Sequence, residues 1–587
     1  MQFDNILVHI GAFGKFQKVF CILVSLVAIP CAWHAIAQVF LAAETDHWCA
    51  VPAEHSLNCT EETDPKTEAS CWDLQKEQAI PFKVEEGEVV YSKCKRYVAA
   101  LWGGDPGELN GTLERDASNN ETTSCDGGWA YDRSQYHTTI IQDFNLVCYK
   151  KELPGLAQSV FFAGLLTGSF IWGAVADWCG RKLTFFISLI LASVICTVTS
   201  FVPSFAAYTA LRFIIAGANF GVYLIGFVLV SEIVGPAYRS FVGTLLAVFF
   251  SVGYALLAVI AYLLREWRHL QLAISLPWFL FFLLLFVIPE SPRWLIAKKK
   301  YKQAEKVIRR IAKSNGVQPP ENMFREEEEA PQEIQKNVLT RQPTQIDLFR
   351  TPNMRKKTLN IFFNWFVNSL VYYGLSLSTS ALGVDDYVAA FVSGAVELPG
   401  YLSSWLAIQK FGRRLPLFLY LFVGGVACLI TIFIEPGAAR ATVAMVGKFA
   451  ISGSFNIIYI YSVELYPTPV RSMGMGMSSM SARLSGVIAP VILILGKYWE
   501  PIPLVVFGGC SLLAGFLALL LPETLNHALP ETVQEGEEFG KGQVLGLRTL
   551  FQIPRGPPAD ENKDQGETYK PIPTDEVKES PGETSPV

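Results

Sequence analysis

The sequence predicts an all-α membrane protein of twelve transmembrane helices arranged as two pseudo-symmetric six-helix halves. Three observations carry the prediction. Apolar runs of about 18 residues or more recur along the chain, long enough to cross a hydrocarbon core of about 30 Å. The 587 residues are 51% hydrophobic, with a mean hydropathy of +0.30. Short charged motifs in the first half return in the second at a nearly constant spacing.

The first run covers roughly 17–42. It follows a polar, glycine-containing leader and lacks a small-residue cleavage signature, so it reads as a retained span. Five more runs follow near 154–175, 183–203, 206–231, 241–263 and 270–289. Six others lie near 357–379, 386–408, 415–435, 441–465, 473–496 and 502–521. The chain therefore divides into an N-terminus with the first helix (1–42), a loop (43–152), helices two to six (153–295), a basic loop (296–356), the second half (357–530) and a tail (531–587).

The loop 43–152 holds six of the twelve cysteines, Cys49, Cys59, Cys71, Cys94, Cys125 and Cys148. It also carries N-x-[ST] sequons at Asn58, Asn110 and Asn120. An even cysteine set among sequons predicts a disulfide-stapled, glycosylated extracellular domain, with the pairing left open. Cys21, Cys31, Cys179, Cys196, Cys428 and Cys510 read as apolar core.

The interval after 290 is the opposite in character. "RWLIAKKKYKQAEKVIRRIAKSNG" is rich in lysine and arginine, and Ala304, Val307 and Ile311 fall at helical spacing. An amphipathic helix is expected there. The short basic links "CGRK" and "KFGRR" lie on the same side, which the positive-inside rule makes cytoplasmic. Twelve spans then put both termini in the cytoplasm. The tail, rich in Pro, Glu, Lys and Thr, reads as disordered.

The repeat consists of four ordered matches. "GAVADWCGRK" pairs with "WLAIQKFGRR", "RFIIAG" with "KFAISG", "SEIVGPAYR" with "VELYPTPVR", and "IPESP" with "LPETL", at offsets between 232 and 236. Two parallel six-span halves are a plan used by alternating-access transporters. Within the motifs, Asp177, Arg181, Glu232, Arg239, Glu290, Arg293, Glu464 and Arg471 sit at cytoplasmic span ends. They are candidate gating residues, able to form interhelical ion pairs that break when the inner face opens. For any one of them, plain orientation of the chain in the bilayer with snorkelling is the alternative reading.

Arg483 stands alone inside "MSSMSARLSGVIAP". A guanidinium facing lipid at mid-membrane costs about 2.5–3.5 kcal/mol, so it is expected to face a cavity. It keeps its proton, and its planar fork suits a carboxylate. Glu397 in "SGAVELPGYL" is a further candidate for substrate contact, and the alternative for Arg483 is a structural pair with it. Tyr223, Trp365, Tyr372, Tyr373, Tyr459 and Tyr461 lie on the fourth, seventh and tenth spans, and aromatic faces attract quaternary ammonium groups. Asn219, one turn before Tyr223, is a weaker candidate for substrate or ion contact. An arginine for a carboxylate and tyrosines for an ammonium suit a small zwitterion.

Other classes are excluded. A net charge of −5 with no concentrated basic face argues against nucleic acid. The sequence contains no G-x-x-x-x-G-K-[ST] phosphate loop, no H-E-x-x-H, and no nucleophile–base constellation. No cofactor or metal site is expected. Sodium is the candidate coupling ion, without a definable site. The expected partners are the bilayer and a small-molecule substrate, on a monomer.

"GAVADWCGRK", "IPESPRWL", "VELYPTPVR" and "LPET" resemble signature segments of the major facilitator superfamily, and more narrowly of its organic cation, anion and zwitterion transporter family. The long cysteine loop after the first span belongs to the same pattern. Within the family, "MVGKFAISGSFNIIYIYSVELYPTPVRS" and "ARLSGVIAP" are similar to the carnitine and organic cation/carnitine branch. Trp178 departs from the first motif, which usually has a base there. The resemblance implies a plasma-membrane secondary transporter with Tyr223, the tenth-span tyrosines and Arg483 lining its central cavity. Carnitine-like zwitterions are the implied substrate, with organic cations or anions as the alternative and a non-transporting receptor as a distant third.

Overall fold

In the computed structural model the described residues are 6–7, 9–50, 76, 80–85, 88–97, 122–235, 238–319, 324, 344–525, 527 and 530–541. Twelve helical segments form the body. In the N-terminal half they are α1 (Lys15–Leu41), α2 (Leu153–Cys179), α3 (Arg181–Thr199), α4 (Phe205–Ile233), α5 (Arg239–Leu263) and α6 (Trp267–Phe286). In the C-terminal half they are α7 (Pro352–Leu377), α8 (Asp386–Phe411), α9 (Arg414–Thr431), α10 (Ala438–Leu465), α11 (Arg471–Leu495) and α12 (Ile502–Ala518).

Among the described residues nine of these are long and apolar enough to cross a membrane, and α12 is a shorter apolar helix. The other two, α7 and α8, are long but carry polar side chains that the packing hides. Asn360, Asn364 and Asn368 recur at four-residue spacing along α7. The Asn364 amide donates to the Asn360 carbonyl at 3.1 Å, and Asn368 to that of Asn364 at 2.8 Å. On α8, Glu397 is fully buried. These groups are tolerated at membrane depth because they face protein rather than lipid.

The repeat is visible in the packing. α2 crosses α4 where Gly168 meets Gly217; a Cβ on Gly168 would stand 2.7 Å from the Gly217 Cα. The equivalent crossing of α8 and α10 sets Gly400 against the Phe449 carbonyl and Gly453 against the Gly400 carbonyl. Small residues let these backbones approach, as helix contacts in lipid require. Gly180 (φ +102°) and Gly412 (φ +81°) then close α2 and α8 with a positive φ that favours glycine.

The halves meet through α2 with α11 and α5 with α8. The bonds that tie them lie toward the face bearing the disulfides and at mid-membrane. Tyr136 Oη donates to Asp386 at 2.8 Å and Tyr387 Oη to the Gln135 carbonyl at 3.1 Å. Lys497 pairs with Glu44, and Tyr498 donates to Glu152. Pro399 and Pro490 sit inside α8 and α11, each removing one backbone donor.

Among its described residues, the loop after α1 forms three two-stranded antiparallel ribbons. Disulfides join Cys49 to Cys125 and Cys94 to Cys148. Cys59, Cys71 and the three sequons at Asn58, Asn110 and Asn120 lie outside the described residues. The six remaining cysteines are free; Cys21, Cys31, Cys196 and Cys428 are buried, Cys179 and Cys510 half-buried.

The expected amphipathic helix is Tyr301–Asn315, with Ala304, Ile308, Ile311 and Ala312 buried and the bases outward. Asn315 clasps the start of α1, donating to the Ile10 carbonyl at 2.9 Å and accepting from the Phe16 amide at 2.9 Å. One expectation needs correction. Part of the tail is ordered, since Val533–Glu538 is a short helix. Its Glu537 accepts the Asn353 and Met354 amides at 3.1 and 2.8 Å, capping α7. A carboxylate at a helix N-terminus meets donors that have no partner inside the helix. Residues 542–587 lie outside the described set.

Candidate functional site

Arg483 is the centre of the site. Its helix, α11, presents Leu484 outward at 49% exposure and turns Arg483 toward the opposite half. There the guanidinium lies 4.1 Å from the centroid of the Phe220 ring on α4. Nη1 donates back to the Ser479 carbonyl at 2.6 Å and to the Ser479 hydroxyl. These bonds hold the head group by its own helix. Among the described residues no carboxylate pairs with it, so the fixed charge faces the interface between the halves without a protein counter-ion.

Tyrosines surround this charge. Tyr223, Tyr373 and Tyr459 all lie within its electrostatic reach. Tyr459 is 40% exposed. Its ring stands edge-on to Trp365, with centroids 4.3 Å apart. Trp365 is fully buried and donates its indole N–H to Ser462 at 2.9 Å, so it backs Tyr459 rather than lining a space itself. Tyr373 packs across the interface on Phe162 at 4.5 Å, and Tyr372 stands perpendicular to Tyr373 at 5.3 Å.

Two expected members sit elsewhere. Tyr461 is fully buried and donates to the Pro522 carbonyl at 2.7 Å, near Glu464, Glu523, Arg413 and Arg414. This corrects its assignment to the substrate set. Residues two apart on a helix point about 200° away from each other, so Tyr459 and Tyr461 cannot share a wall. Asn219 spends its amide N–H on the Cys31 carbonyl at 3.1 Å, pinning α4 to α1, while its Oδ1 is buried without a hydrogen-bond partner.

Glu397 takes Lys448 of α10 at 2.9 Å, not Arg483. The alternative of a structural Arg483–Glu397 pair is thereby corrected. Lys448 opens the "KFAISG" motif, and nothing in its local sequence marks its partner. The signal available was its position inside an apolar run, the same signal that singled out Arg483.

The charged motifs cluster at the face opposite the disulfides. Arg181, at the start of α3, bridges Asp177 of α2 at 3.0 Å and Glu232 of α4 at 3.2 Å. Glu290 accepts the Arg181 and Lys182 amides at 2.8 and 3.1 Å. The second half repeats this with Arg413–Glu464 at 2.7 Å and Glu523 on the Arg413 and Arg414 amides at 2.9 and 3.1 Å. Arg413 and Glu523 were absent from the expected gate. Arg239 and Arg471 donate Nε to the Ser231 and Tyr466 carbonyls, and Arg293 lies in the short helix Pro292–Ala297. Each ion pair links helices of one half. It fastens that half as a unit rather than bolting the two together.

Two repeated six-helix halves meeting at a polar, aromatic centre define a membrane transporter of the major facilitator class. Comparison with known proteins agrees. Residues 104–535 match the family model "Sugar (and other) transporter". The fold resembles that of the proton:xylose symporter XylE from E. coli, at TM-score 0.54 and 13% identity, covering 89% of this chain and 99% of that one. An organic cation transporter protein of Drosophila melanogaster is 41% identical over 92% of this chain and 95% of its own length. A carcinine transporter of the same fly is 39% identical, covering 92% and 79%. The human organic cation/carnitine transporter 2 is 33% identical, covering 91% and 94%. The chain belongs to the organic cation transporter family of the major facilitator superfamily, and it is a multi-pass membrane transporter rather than an enzyme.

Proposed function

We infer that the protein is a plasma-membrane secondary transporter of small organic zwitterions and cations, with carnitine and related betaines as the leading substrates. The carrying observation is Arg483, a permanent cation at the interface of the halves with no carboxylate partner among the described residues. A substrate carboxylate supplies the missing counter-ion. Tyr223, Tyr373 and Tyr459 offer ring faces for the ammonium end. The relative named for carnitine, a quaternary ammonium carboxylate, supports the same chemistry for this chain, whereas carcinine, an amine without a carboxylate, fits its cation side alone.

Access alternates as the halves rock. The bonds of Tyr136, Tyr387, Lys497 and Tyr498 close the disulfide side in this state. That side is extracellular in this reading, both termini are cytoplasmic, and the monomer is the working unit. A sodium gradient is the proposed drive. The test is uptake of carnitine, tetraethylammonium and a dicarboxylate into proteoliposomes, with and without sodium. Carnitine accumulation that is lost in Arg483→Glu supports the reading. Accumulation of tetraethylammonium alone would return the protein to the plain organic cation transporters. Binding without accumulation would make it a receptor.

A further inference from the structure

Lys448 and Glu397 form a buried ion pair that the recognition scheme above leaves unused. Their side chains are 1% and 0% exposed. The Lys448 ammonium also lies 3.4 Å from the centroid of the Tyr372 ring and 5.6 Å from that of Tyr254. An acid beside two tyrosine rings is the arrangement that holds an organic ammonium ion. Here the chain's own ammonium fills it.

The box is assembled from both halves. Ser251 of α5 donates to Glu397 Oε2 at 2.5 Å, and Tyr254, also of α5, donates to the Ser376 carbonyl of α7 at 3.3 Å. Tyr401 donates to Glu397 Oε2 at 3.4 Å. Rocking of α5 away from α8 would therefore open the box toward the disulfide side. The box also adjoins the Arg483 site, because Tyr372 packs on Tyr373, which lies within electrostatic reach of both Arg483 and Glu397.

The fold itself does not call for the acid. Arg212 is the repeat mate of Lys448, each opening its copy of the motif. Arg212 is equally buried, yet it is held by neutral oxygens, the His34 carbonyl and Gln158 Oε1, both at 3.0 Å. Its guanidinium lies 4.2 Å over the Phe161 ring. A buried cation at this position is thus stable in one half without a carboxylate. A buried ion pair is also no more stabilising than well-packed apolar groups. Glu397 needs another reason to be where it is.

We propose that Lys448 is a tethered stand-in for an organic ammonium ion. It occupies the box of Glu397, Tyr372 and Tyr254 and so weakens the binding of substrates that carry only positive charge. Substrates that also bring a carboxylate for Arg483 remain favoured; this last step rests on the zwitterion reading, whereas the occupied box does not.

The experiment compares tetraethylammonium uptake by the full-length wild type, Lys448→Gln, Glu397→Gln and the double variant in proteoliposomes. Lys448→Gln is expected to raise apparent tetraethylammonium affinity by about tenfold, the range of an ammonium held on unshielded ring faces. The double variant should lose that gain. A monodisperse Lys448→Gln protein with no gain overturns the proposal, as does a gain that survives in the double variant. If Lys448→Gln does not fold, Glu397→Gln carries the test. It leaves the ammonium in place without its acid, so inhibition by succinate should strengthen relative to inhibition by tetraethylammonium. An unchanged ratio overturns the proposal. Carnitine uptake by the wild type is read in parallel; its absence removes the zwitterion reading and leaves the tetraethylammonium comparison intact.

Discussion

The guanidinium of Arg483, on the C-terminal half, lies 4.1 Å from the ring of Phe220, on the N-terminal half. One charged group of α11 thus rests on the surface from which its half would separate in the proposed rocking. The ring shields one face of the guanidinium, and the Ser479 bonds engage only Nη1. The remaining N–H groups are the ones a carboxylate would meet.

Replacing Arg483 with alanine is expected to weaken carnitine uptake by one to two orders of magnitude, since hydrogen bonds to charged groups contribute about 1.5–3 kcal/mol. Arg483→Lys keeps the charge but loses the fork, so it should fall between the two. Concentration-dependent uptake checks the order. Equal uptake by all three proteins would remove the arginine from recognition.

The Arg181–Glu232 pair and its mate Arg413–Glu464 are each about 15% exposed at the side chains, between surface and core. Glu232→Gln or Glu464→Gln should destabilise its half by about 1–3 kcal/mol. The charge swap Arg181→Glu/Glu232→Arg should recover part of the loss, whereas mixing partners across the halves should recover none. Thermal unfolding in detergent, run as double-mutant cycles, measures both.

At the crossing of α2 and α4 the glycines have no room to spare. Gly168→Val would drive a side chain into the Gly217 backbone and is expected to cost about 1–3 kcal/mol. Gly173→Ala, where a Cβ would meet nothing within 4 Å, is the control on the same helix and should leave stability near the wild type. Fluorescence-detected size-exclusion after heating reads the difference.

The two disulfides among the described residues close spans of 76 and 54 residues in the loop. Removing either should destabilise the loop by about 2–5 kcal/mol. Cys49→Ser and Cys125→Ser should behave alike and fail to add in the double variant, and the same holds for Cys94 and Cys148. Peptide mapping under non-reducing conditions checks the pairing directly.

The sequence by itself determined the architecture. Each span must satisfy its own backbone in lipid, so an apolar run of sufficient length is already a helix. The repeated motifs then declared two halves, and Arg483 announced itself because a charge in an apolar run is costly anywhere but at a cavity. Even α7 and α8, with their asparagines and Glu397, were legible as spans from length and position in the repeat.

Partner choice was decided only by the tertiary structure. Glu397 found Lys448, 51 residues along the chain; Arg181 found Glu232, and Tyr461 turned to Pro522 while Tyr459 stayed beside Trp365. Ion pairs and hydrogen bonds act over about 3–4 Å, a range set by how helices cross and rotate, and chain separation carries no record of either.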